Sequence, residues 1–429
     1  MLQFIRLFVS PILSYFIFMT GSSLLLTVLT LVFHDRHISV YWTAGLTCAY
    51  YAGYVISAIH VEKFIVRVGF IRAHTTFAAL ATLSTLLHVF WFNPFLWLLW
   101  RFTYGVGLAG LCLVTQNWFL HSDSTGHLRG RMLAIYMITM YASQSFGQYL
   151  LRFVEIHTLT SFCIVAFCTS LCVIPVSMTK TTAPACAHYT IFGLKKVFEI
   201  SPSGTFGGLC SGVLLGCIYG MYPNALKSWQ HSLNEISTFM TMVIIGGMLL
   251  QYPIGKLADY YERRCVLMAL VVACLACTLL AFIAHQLGCR NIFLLLTLLW
   301  GGLTFTIYPV SLNLTCDLVQ PNDLLSTTGG LMVAYSVGAS VGPFLGAGFM
   351  HLLGPQGFYV LFMLILITLG CFVFYRTHQR VGLPVQHQKA FTWLPAGAAL
   401  TISRIFARIK YKKHTGKAII RASDEQKNT

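Results

Sequence analysis

The chain has 429 residues, of which 57% are hydrophobic and only 9% are charged, and its mean hydropathy is +0.73. Soluble domains carry about 25% charged residues, so this composition excludes an ordinary soluble protein and predicts a polytopic membrane protein. The net charge of +16 could suggest a nucleic-acid partner, but the basic residues fall mainly between apolar runs, where they set membrane topology instead.

Twelve apolar runs of spanning length can be placed along the chain, six before and six after a polar break. Only helices and closed barrels satisfy their backbone hydrogen bonds in lipid, and these runs lack the alternation of a barrel strand. We therefore expect an all-α integral membrane fold with twelve transmembrane helices. The predicted spans cover residues 8–33, 40–62, 70–92, 95–120, 131–153, 158–178, 204–228, 236–258, 265–287, 292–316, 324–349 and 357–375.

The polar break divides the chain into four predicted parts. Residues 1–178 and 204–376 each predict a six-helix bundle, and residues 179–203 between them predict a cytoplasmic linker. The segment from Glu62 to Arg72 is a degenerate copy of the hydrophilic segment from Gly255 to Arg264, and the two are offset by 193 residues. This repeat favours two pseudo-repeated bundles with a substrate path between them. Residues 377–429 form a basic tail.

The distribution of basic residues favours one orientation. If the amino terminus is cytoplasmic, the inner loops, the linker and both termini hold 23 of the 28 Lys and Arg residues, and the outer loops hold four. Lys and Arg collect on the cytoplasmic side of membrane proteins, so we expect both termini inside, in a plasma (inner) membrane. The first apolar run is not followed by a small-residue cleavage site. We therefore interpret this run as a membrane span rather than as a removable signal.

The tail contains apolar residues at helical spacing between positions 394 and 409, with arginines on another face. This pattern is typical of an amphipathic helix on the anionic inner leaflet of the bilayer. A thirteenth span is an alternative, although the apolar stretch 391–403 is short and contains Pro395. A disordered tail is the other alternative.

Most of the 14 cysteines lie within apolar runs, so we expect core residues rather than disulfides. Cys274 and Cys277 have C-x-x-C spacing, but no second ligand pair accompanies them, and we expect no metal or other cofactor. The sequence also lacks the H-E-x-x-H, G-x-S-x-G and P-loop motifs. An enzyme is therefore not expected.

Arg101 is the most informative polar residue, because it lies inside the fourth predicted span. A guanidinium there costs at least about 2.5 kcal/mol, so it should face an aqueous cavity or a partner. The alternative is that Arg101 extends to the outer interface and anchors the helix.

Other polar residues within the spans could line the same cavity. Gln116 lies fifteen residues after Arg101, about 60° away around the helix, so the two share a broad face. Each such residue alone is more often part of an interhelical hydrogen bond, but as a set they indicate a weakly charged cavity for a neutral or anionic small solute. These residues are Tyr104, Gln116, Asn117, Gln144, Gln148, Tyr219, Tyr222, Asn224, Tyr308 and Asn313.

A short hydrophilic segment separates two spans of the second half. Gly255, Asp259, Arg263 and Arg264 form the pattern Gly-x-x-x-Asp-x-x-x-Arg-Arg, which resembles the signature loop of the major facilitator superfamily. That resemblance implies that Asp259 lies against the positive amino end of a helix and pairs with Arg129 and Arg131. These contacts would keep an inner gate closed. A solvated loop acid is the alternative.

In the eleventh span, small residues recur every four positions. Gly338, Gly342 and Gly346 lie on one face, and Pro343 predicts a bend. Small residues allow helices in membranes to approach closely, so we expect this face to pack against another helix. A gating hinge is the alternative.

Several further motifs resemble the YcaD-type branch of the superfamily from about residue 10 to residue 376. They include Gly105-x-Gly107, Arg129-Gly130-Arg131, Gly147-Gln148, Gly216-x-x-Tyr219-Gly220, Gln251-x-Pro253-Ile254-Gly255 and Tyr308-Pro309.

The resemblance implies a monomeric secondary transporter that moves a small-molecule substrate by alternating access of two bundles. The position of Gln116 is usually a glutamate in that branch, and its neutral replacement leaves proton coupling open. A transporter-like receptor or scaffold that acts through the basic tail is the alternative function.

Overall fold

The computed structural model describes residues 2–121, 129–156, 159–179, 193–320 and 323–379, together with residues 386, 388 and 391. Side chains of residues 2–8, 62, 66, 117, 119–121, 129–134 and 325 are outside this description. Within the described ranges the chain is helical and contains no strand. The helix predicted for residues 394–409 lies outside the described residues.

Fourteen α-helices and two 3₁₀ helices of three residues each are present in the described part of the chain. They are α1 (Leu2–Asp35), α2 (Val40–Val68), α3 (Phe70–Phe90), α4 (Pro94–His121), α5 (Arg129–Leu150), α6 (Thr160–Leu171), α7 (Val173–Ser177), α8 (Leu194–Ile200), α9 (Pro202–Ser228), α10 (Leu233–Tyr260), α11 (Arg263–Gln286), α12 (Arg290–Asp317), α13 (Leu324–Leu353) and α14 (Gly357–Gln379).

Among the described residues, nine stretches are long and apolar enough to cross a membrane. They are Val9–Asp35, Phe70–Phe90, Pro94–Gln116, Thr160–Ser177, Pro202–Ser228, Leu233–Tyr260, Arg263–Gln286, Arg290–Asp317 and Ser326–Gln379. The last of these contains both α13 and α14. Helices α2 and α5 are also of spanning length, but tyrosines and other polar side chains interrupt their apolar sequence.

Glycines bring α2 and α4 into backbone contact in the first half of the chain. A Cβ atom added at Gly53 would lie 2.1 Å from the Phe102 carbonyl oxygen, and one added at Gly105 would lie 2.2 Å from that of Tyr50. Any larger residue at either position would force the helices apart. This close packing places Tyr50 of α2 next to Arg101 of α4.

The glycine face of α13 packs against α9 in the second half. Cβ atoms added at Gly338 and Gly342 would lie 2.1 Å and 2.4 Å from the carbonyl oxygens of Leu209 and Val213. The corresponding atom at Gly346 would meet side chains rather than backbone, at 3.2 Å from Met221 Cγ and 3.5 Å from Cys217 Sγ. Pro343 lies within the same helix. The backbones of α13 and α9 therefore approach each other closely at Gly338 and Gly342.

The two halves meet through α1 with α9, α2 with α13, and α5 with α10. We call the end of the molecule at which α7 ends and α8 begins the linker side, and the other end the opposite side. Several polar contacts join the halves on the opposite side. The Ser237 hydroxyl donates to the Gln148 carbonyl at 2.6 Å, and the Ser228 hydroxyl lies 3.3 Å from His34 Nε2.

Candidate functional site

A cavity of about 140 Å³ lies between the two halves. Helices α1, α2, α4 and α5 of the first half and α9, α12 and α13 of the second all contribute side chains to its walls. The lining residues are Tyr15, Met19, Ser22, Ser23, Leu26, Thr47, Tyr50, Tyr51, Tyr54, Arg101, Leu108, Cys112, Tyr136, Met140, Tyr141, Gln144, Leu215, Tyr219, Phe305, Tyr308, Met332, Tyr335 and Ser336.

Arg101 supplies the positive charge of the cavity. Its side chain is 1% exposed, and its guanidinium carbon lies 4.7 Å from the Tyr50 ring centre and 5.1 Å from that of Tyr104. Nε and Nη1 of Arg101 are buried and form no hydrogen bond with the described residues. No carboxylate occurs among the lining residues of the cavity.

The contacts of Arg101 compensate only part of the cost of its burial. A cation–π contact contributes about 0.5–2 kcal/mol, whereas a guanidinium at the centre of a membrane helix costs at least about 2.5 kcal/mol on insertion scales and about 10–17 kcal/mol in simulations of an isolated helix. Two of its nitrogens also keep their hydrogen-bonding capacity. The site can therefore pair with an anionic group.

Tyrosines dominate the polar lining of the cavity. The hydroxyl groups of Tyr15 and Tyr136 lie 2.7 Å apart, and the Tyr219 hydroxyl donates to Gln144 Oε1 at 2.9 Å across the two halves. Tyrosine combines an apolar ring with a hydroxyl, so these walls can pack against a ring and also bond polar substituents. The nine lining tyrosines are Tyr15, Tyr50, Tyr51, Tyr54, Tyr136, Tyr141, Tyr219, Tyr308 and Tyr335.

Four of the residues predicted for the cavity lie in its walls: Arg101, Gln144, Tyr219 and Tyr308. Tyr104 is fully buried and contacts Arg101 through its ring. These residues come from α4, α5, α9 and α12, so the structure brings together side chains from both halves.

Two predicted glutamines have protein partners and lie outside the cavity lining. Gln116 Nε2 donates to the Tyr136 hydroxyl at 2.6 Å, which places Gln116 behind the wall. Gln148 Oε1 accepts from Thr27 at 2.9 Å, and its Nε2 donates to the Ser23 carbonyl at 2.9 Å. Both amides therefore support the cavity from outside.

Tyr222 and Asn224 are also away from the lining. Tyr222 packs between the rings of Trp300 and Phe358, with centroids 5.3 Å and 5.1 Å away. Asn224 accepts a hydrogen bond from Ser228 at 3.4 Å. The side chain of Asn117 is outside the described residues.

A second polar cluster lies on the linker side, where α10 ends, α11 begins and α12 ends. Arg263, 1% exposed, forms an ion pair with Asp317, which is 3% exposed. Nη1 of Arg263 also donates to the Asn313 carbonyl at 2.9 Å, and Asn313 Nδ2 donates to the Pro309 carbonyl at 2.8 Å. The cluster thus locks α11 to α12, and Asn313 belongs to it rather than to the cavity lining.

Asp259 lies at the edge of this cluster. Its side chain is 41% exposed, and Oδ1 lies 3.9 Å from Arg263 Nη2. The same Oδ1 accepts a hydrogen bond from the Phe391 backbone at 2.8 Å, and the Phe391 ring centre lies 5.9 Å from the Arg263 guanidinium carbon. Phe391, which follows α14 in the chain, therefore contacts the end of α10.

The other residues predicted for an inner gate fall into two groups. Gly255 is buried and Arg264 is partly exposed, both on the linker side. The side chains of Arg129 and Arg131, the partners expected for Asp259, lie outside the described residues.

Sequence analysis did not single out the cavity tyrosines of the first half or the partner of Arg263. The spacing Tyr50-Tyr51-x-x-Tyr54 places tyrosines on neighbouring faces of one apolar helix, and this was the available signal. Asp317, at the end of its span, carried no sequence signal for pairing with an arginine 54 positions earlier.

Comparison with known proteins points to one family. Residues 204–415 match the family described as Major Facilitator Superfamily. An uncharacterized MFS-type transporter YcaD from Escherichia coli O7:K1 is 28% identical over 323 residues, which cover 74% of this chain and 82% of the relative. Its counterpart from Shigella flexneri serotype 5b is 28% identical over 331 residues, covering 76% and 84%.

Solved structures show the same fold at low sequence identity. The nucleoside transporter NupG superposes with a TM-score of 0.73 and 13% identity, covering 86% of this chain and 98% of that one. A D-xylose-proton symporter gives a TM-score of 0.65 with 12% identity and coverage of 90% and 99%.

Proposed function

We propose that the chain is a member of the major facilitator superfamily, of the YcaD type, and that it is a secondary transporter for a small solute. Its relatives are named as transporters, and the chain is accordingly a multi-pass integral membrane protein rather than an enzyme. The observation that carries the proposal is the buried cavity lined by both halves of the chain.

The proposed architecture has twelve membrane-spanning helices in two six-helix bundles, residues 1–178 and 204–376, with a linker at 179–203 and a tail at 377–429. The nine apolar stretches account for ten of these spans, because the last stretch contains both α13 and α14. Helices α2 and α5 complete the twelve, because tyrosines that lower their apolar character face the cavity rather than lipid. We expect the monomer to contain the whole path.

The proposed mechanism is alternating access, in which the cavity opens first to one side and then to the other. Contacts between α5 and α10 and between α1 and α9 support a conformation closed on the opposite side. A solute bound between the halves can contact both at once, and this couples its binding to their relative movement.

In the proposed orientation the linker side is cytoplasmic and both termini are inside. The excess of Lys and Arg on that side supports this assignment. Gly255, Asp259, Arg263 and Arg264 then form part of an inner gate, with Arg129 and Arg131 as proposed partners. The basic tail would lie against anionic lipid of the inner leaflet.

Uptake into proteoliposomes tests the transport function directly. The full-length protein is reconstituted, incubated with a pooled mixture of small metabolites, washed, and its lumen analysed by mass spectrometry. We expect at least one solute to accumulate above protein-free liposomes.

A cavity-filling variant provides the control. Met332 lines the cavity and is 3% exposed, so Met332→Trp should fill the space and abolish accumulation. Equal accumulation by Met332→Trp and the parent, or no accumulation by either, would contradict the proposal.

A further inference from the structure

We propose that the solute is a compact organic anion: one carboxylate on a body no larger than about a single ring, held with the carboxylate on Arg101 and the ring among the cavity tyrosines. This inference rests on the proposed transport function for its biological meaning. The binding site itself can be tested without transport.

The charge of the ligand follows from Arg101. Its guanidinium lies in the cavity wall, 1% exposed, with Nε and Nη1 making no hydrogen bond to the described residues. A planar guanidinium with free donors matches the geometry of a carboxylate, which accepts two parallel N–H bonds. A cationic ligand would instead place two like charges together in a site of low dielectric constant.

The flanking rings restrict where the carboxylate can approach. Tyr50 and Tyr104 contact the guanidinium with their rings, at 4.7 Å and 5.1 Å from its carbon. Ring contacts stabilise the cation without using its N–H donors. Nε and Nη1 therefore keep their hydrogen-bonding capacity, although both atoms are covered by protein in this conformation. The arrangement therefore suits a single planar anion.

The size of the ligand follows from the cavity volume of about 140 Å³. A protein cavity of about 150 Å³ is known to accept benzene, so one ring with a small substituent is the expected upper size in this conformation. A nucleoside or a disaccharide would need further opening of the walls.

The nature of the ligand body follows from the lining. Aromatic rings prefer offset or edge-to-face contact with other rings, and Tyr51 of α2 and Tyr335 of α13 meet edge-on, with centroids 6.3 Å apart, at the junction of the halves. A ring held there contacts both halves, while the tyrosine hydroxyls can bond a polar substituent. We therefore favour an aromatic ring over an aliphatic chain.

A matched set of probes tests these three features in the purified full-length protein. Benzoate is compared with benzamide, its neutral isostere, with acetate, which lacks the ring, and with 1-naphthoate, which has two rings. Binding is measured by isothermal titration calorimetry and by thermal stabilisation. We expect benzoate to bind at least tenfold more tightly than each of the other three.

Variants separate the roles of charge and shape. Arg101→Gln should weaken benzoate binding at least tenfold and remove its preference over benzamide, whereas Met332→Trp should abolish binding of every probe. Arg36→Gln is the matched control, because Arg36 is exposed and lies over the Phe92 ring, outside the cavity. Size-exclusion profiles and melting temperatures without ligand verify that each variant is folded.

The results distinguish this inference from the transport proposal. Equal binding of benzamide and benzoate, or unchanged benzoate binding by folded Arg101→Gln, overturns the anion site. Accumulation of only neutral or cationic solutes in proteoliposomes also overturns it while leaving transport intact. Tight benzoate binding that is lost in Arg101→Gln supports the site even if no solute accumulates, in which case transport alone fails.

Discussion

Arg101 and Arg263 are both buried, yet the structure predicts different effects on stability when each is replaced by methionine. Arg263→Met leaves the Asp317 carboxylate, 3% exposed, without its guanidinium partner, and it removes the donor to the Asn313 carbonyl. Removing one member of a buried ion pair costs about 3–5 kcal/mol. We expect the free energy of unfolding to fall by that amount.

Arg101→Met should have a much smaller effect. The substitution removes two cation–π contacts, with Tyr50 and Tyr104, each contributing about 0.5–2 kcal/mol. It also removes a buried guanidinium that costs at least about 2.5 kcal/mol. Subtracting the removed burial cost from the lost contact energy gives a change in unfolding free energy between a loss and a gain of about 1.5 kcal/mol. The gain is larger if burial of the guanidinium costs more than this minimum of about 2.5 kcal/mol.

The assay is unfolding of the two purified variants by a denaturing detergent, followed by near-ultraviolet circular dichroism in the same mixed micelles as the parent. Adding Asp317→Asn to Arg263→Met should recover part of the lost stability, because it neutralises the buried carboxylate that has lost its guanidinium partner. If Arg101→Met lost as much stability as Arg263→Met, Arg101 would be a structural residue and the reasoning about an available cation would be wrong.

Three further perturbations test the packing, the contact between halves and the tail. Gly338→Ala should lower the free energy of unfolding by about 1–3 kcal/mol, because its Cβ would lie 2.1 Å from the Leu209 carbonyl oxygen. Unfolding in denaturing detergent measures this change. An unchanged unfolding midpoint would contradict the close packing. Tyr219→Phe removes the hydrogen bond from the Tyr219 hydroxyl in α9 to the Gln144 amide in α5. It should cost only about 0.6 kcal/mol of stability but change the affinity for benzoate at least twofold. An unchanged affinity in equilibrium binding would count against a role of Tyr219 at the site. Phe391→Pro removes the backbone N–H that donates to Asp259, whereas the control Phe391→Leu keeps that N–H. Trypsin should therefore cleave the tail faster in Phe391→Pro than in Phe391→Leu. Equal cleavage rates would show that the contact does not hold the tail.

Much of the helical architecture could be predicted because an apolar run of spanning length is a signal within one segment of sequence. The predicted span 95–120 corresponds to α4, Pro94–His121, and the span 204–228 to α9, Pro202–Ser228. Arg101 could also be identified, since a lone charge within such a run is costly.

The rest of the site could not be predicted because it depends on how helices rotate and meet. The offset of about 60° between Arg101 and Gln116 is compatible with a shared face, yet the Gln116 amide lies against the outer side of Tyr136. Tyrosines in α2 could equally have faced lipid or core. Asp317 and Arg263 are near in space only because the end of α12 lies beside the start of α11.

The single positive charge in the cavity has an electrical consequence. In the proposed alternating-access mechanism and orientation, a bound monoanion would make the site neutral overall, so the loaded protein would change conformation with little dependence on membrane voltage. Without the anion, the same movement shifts the field around the Arg101 charge, and a full elementary charge moved through 100 mV corresponds to about 2.3 kcal/mol. Voltage would therefore act mainly on the return of the unloaded protein, and a negative cytoplasm would favour its inward-facing form.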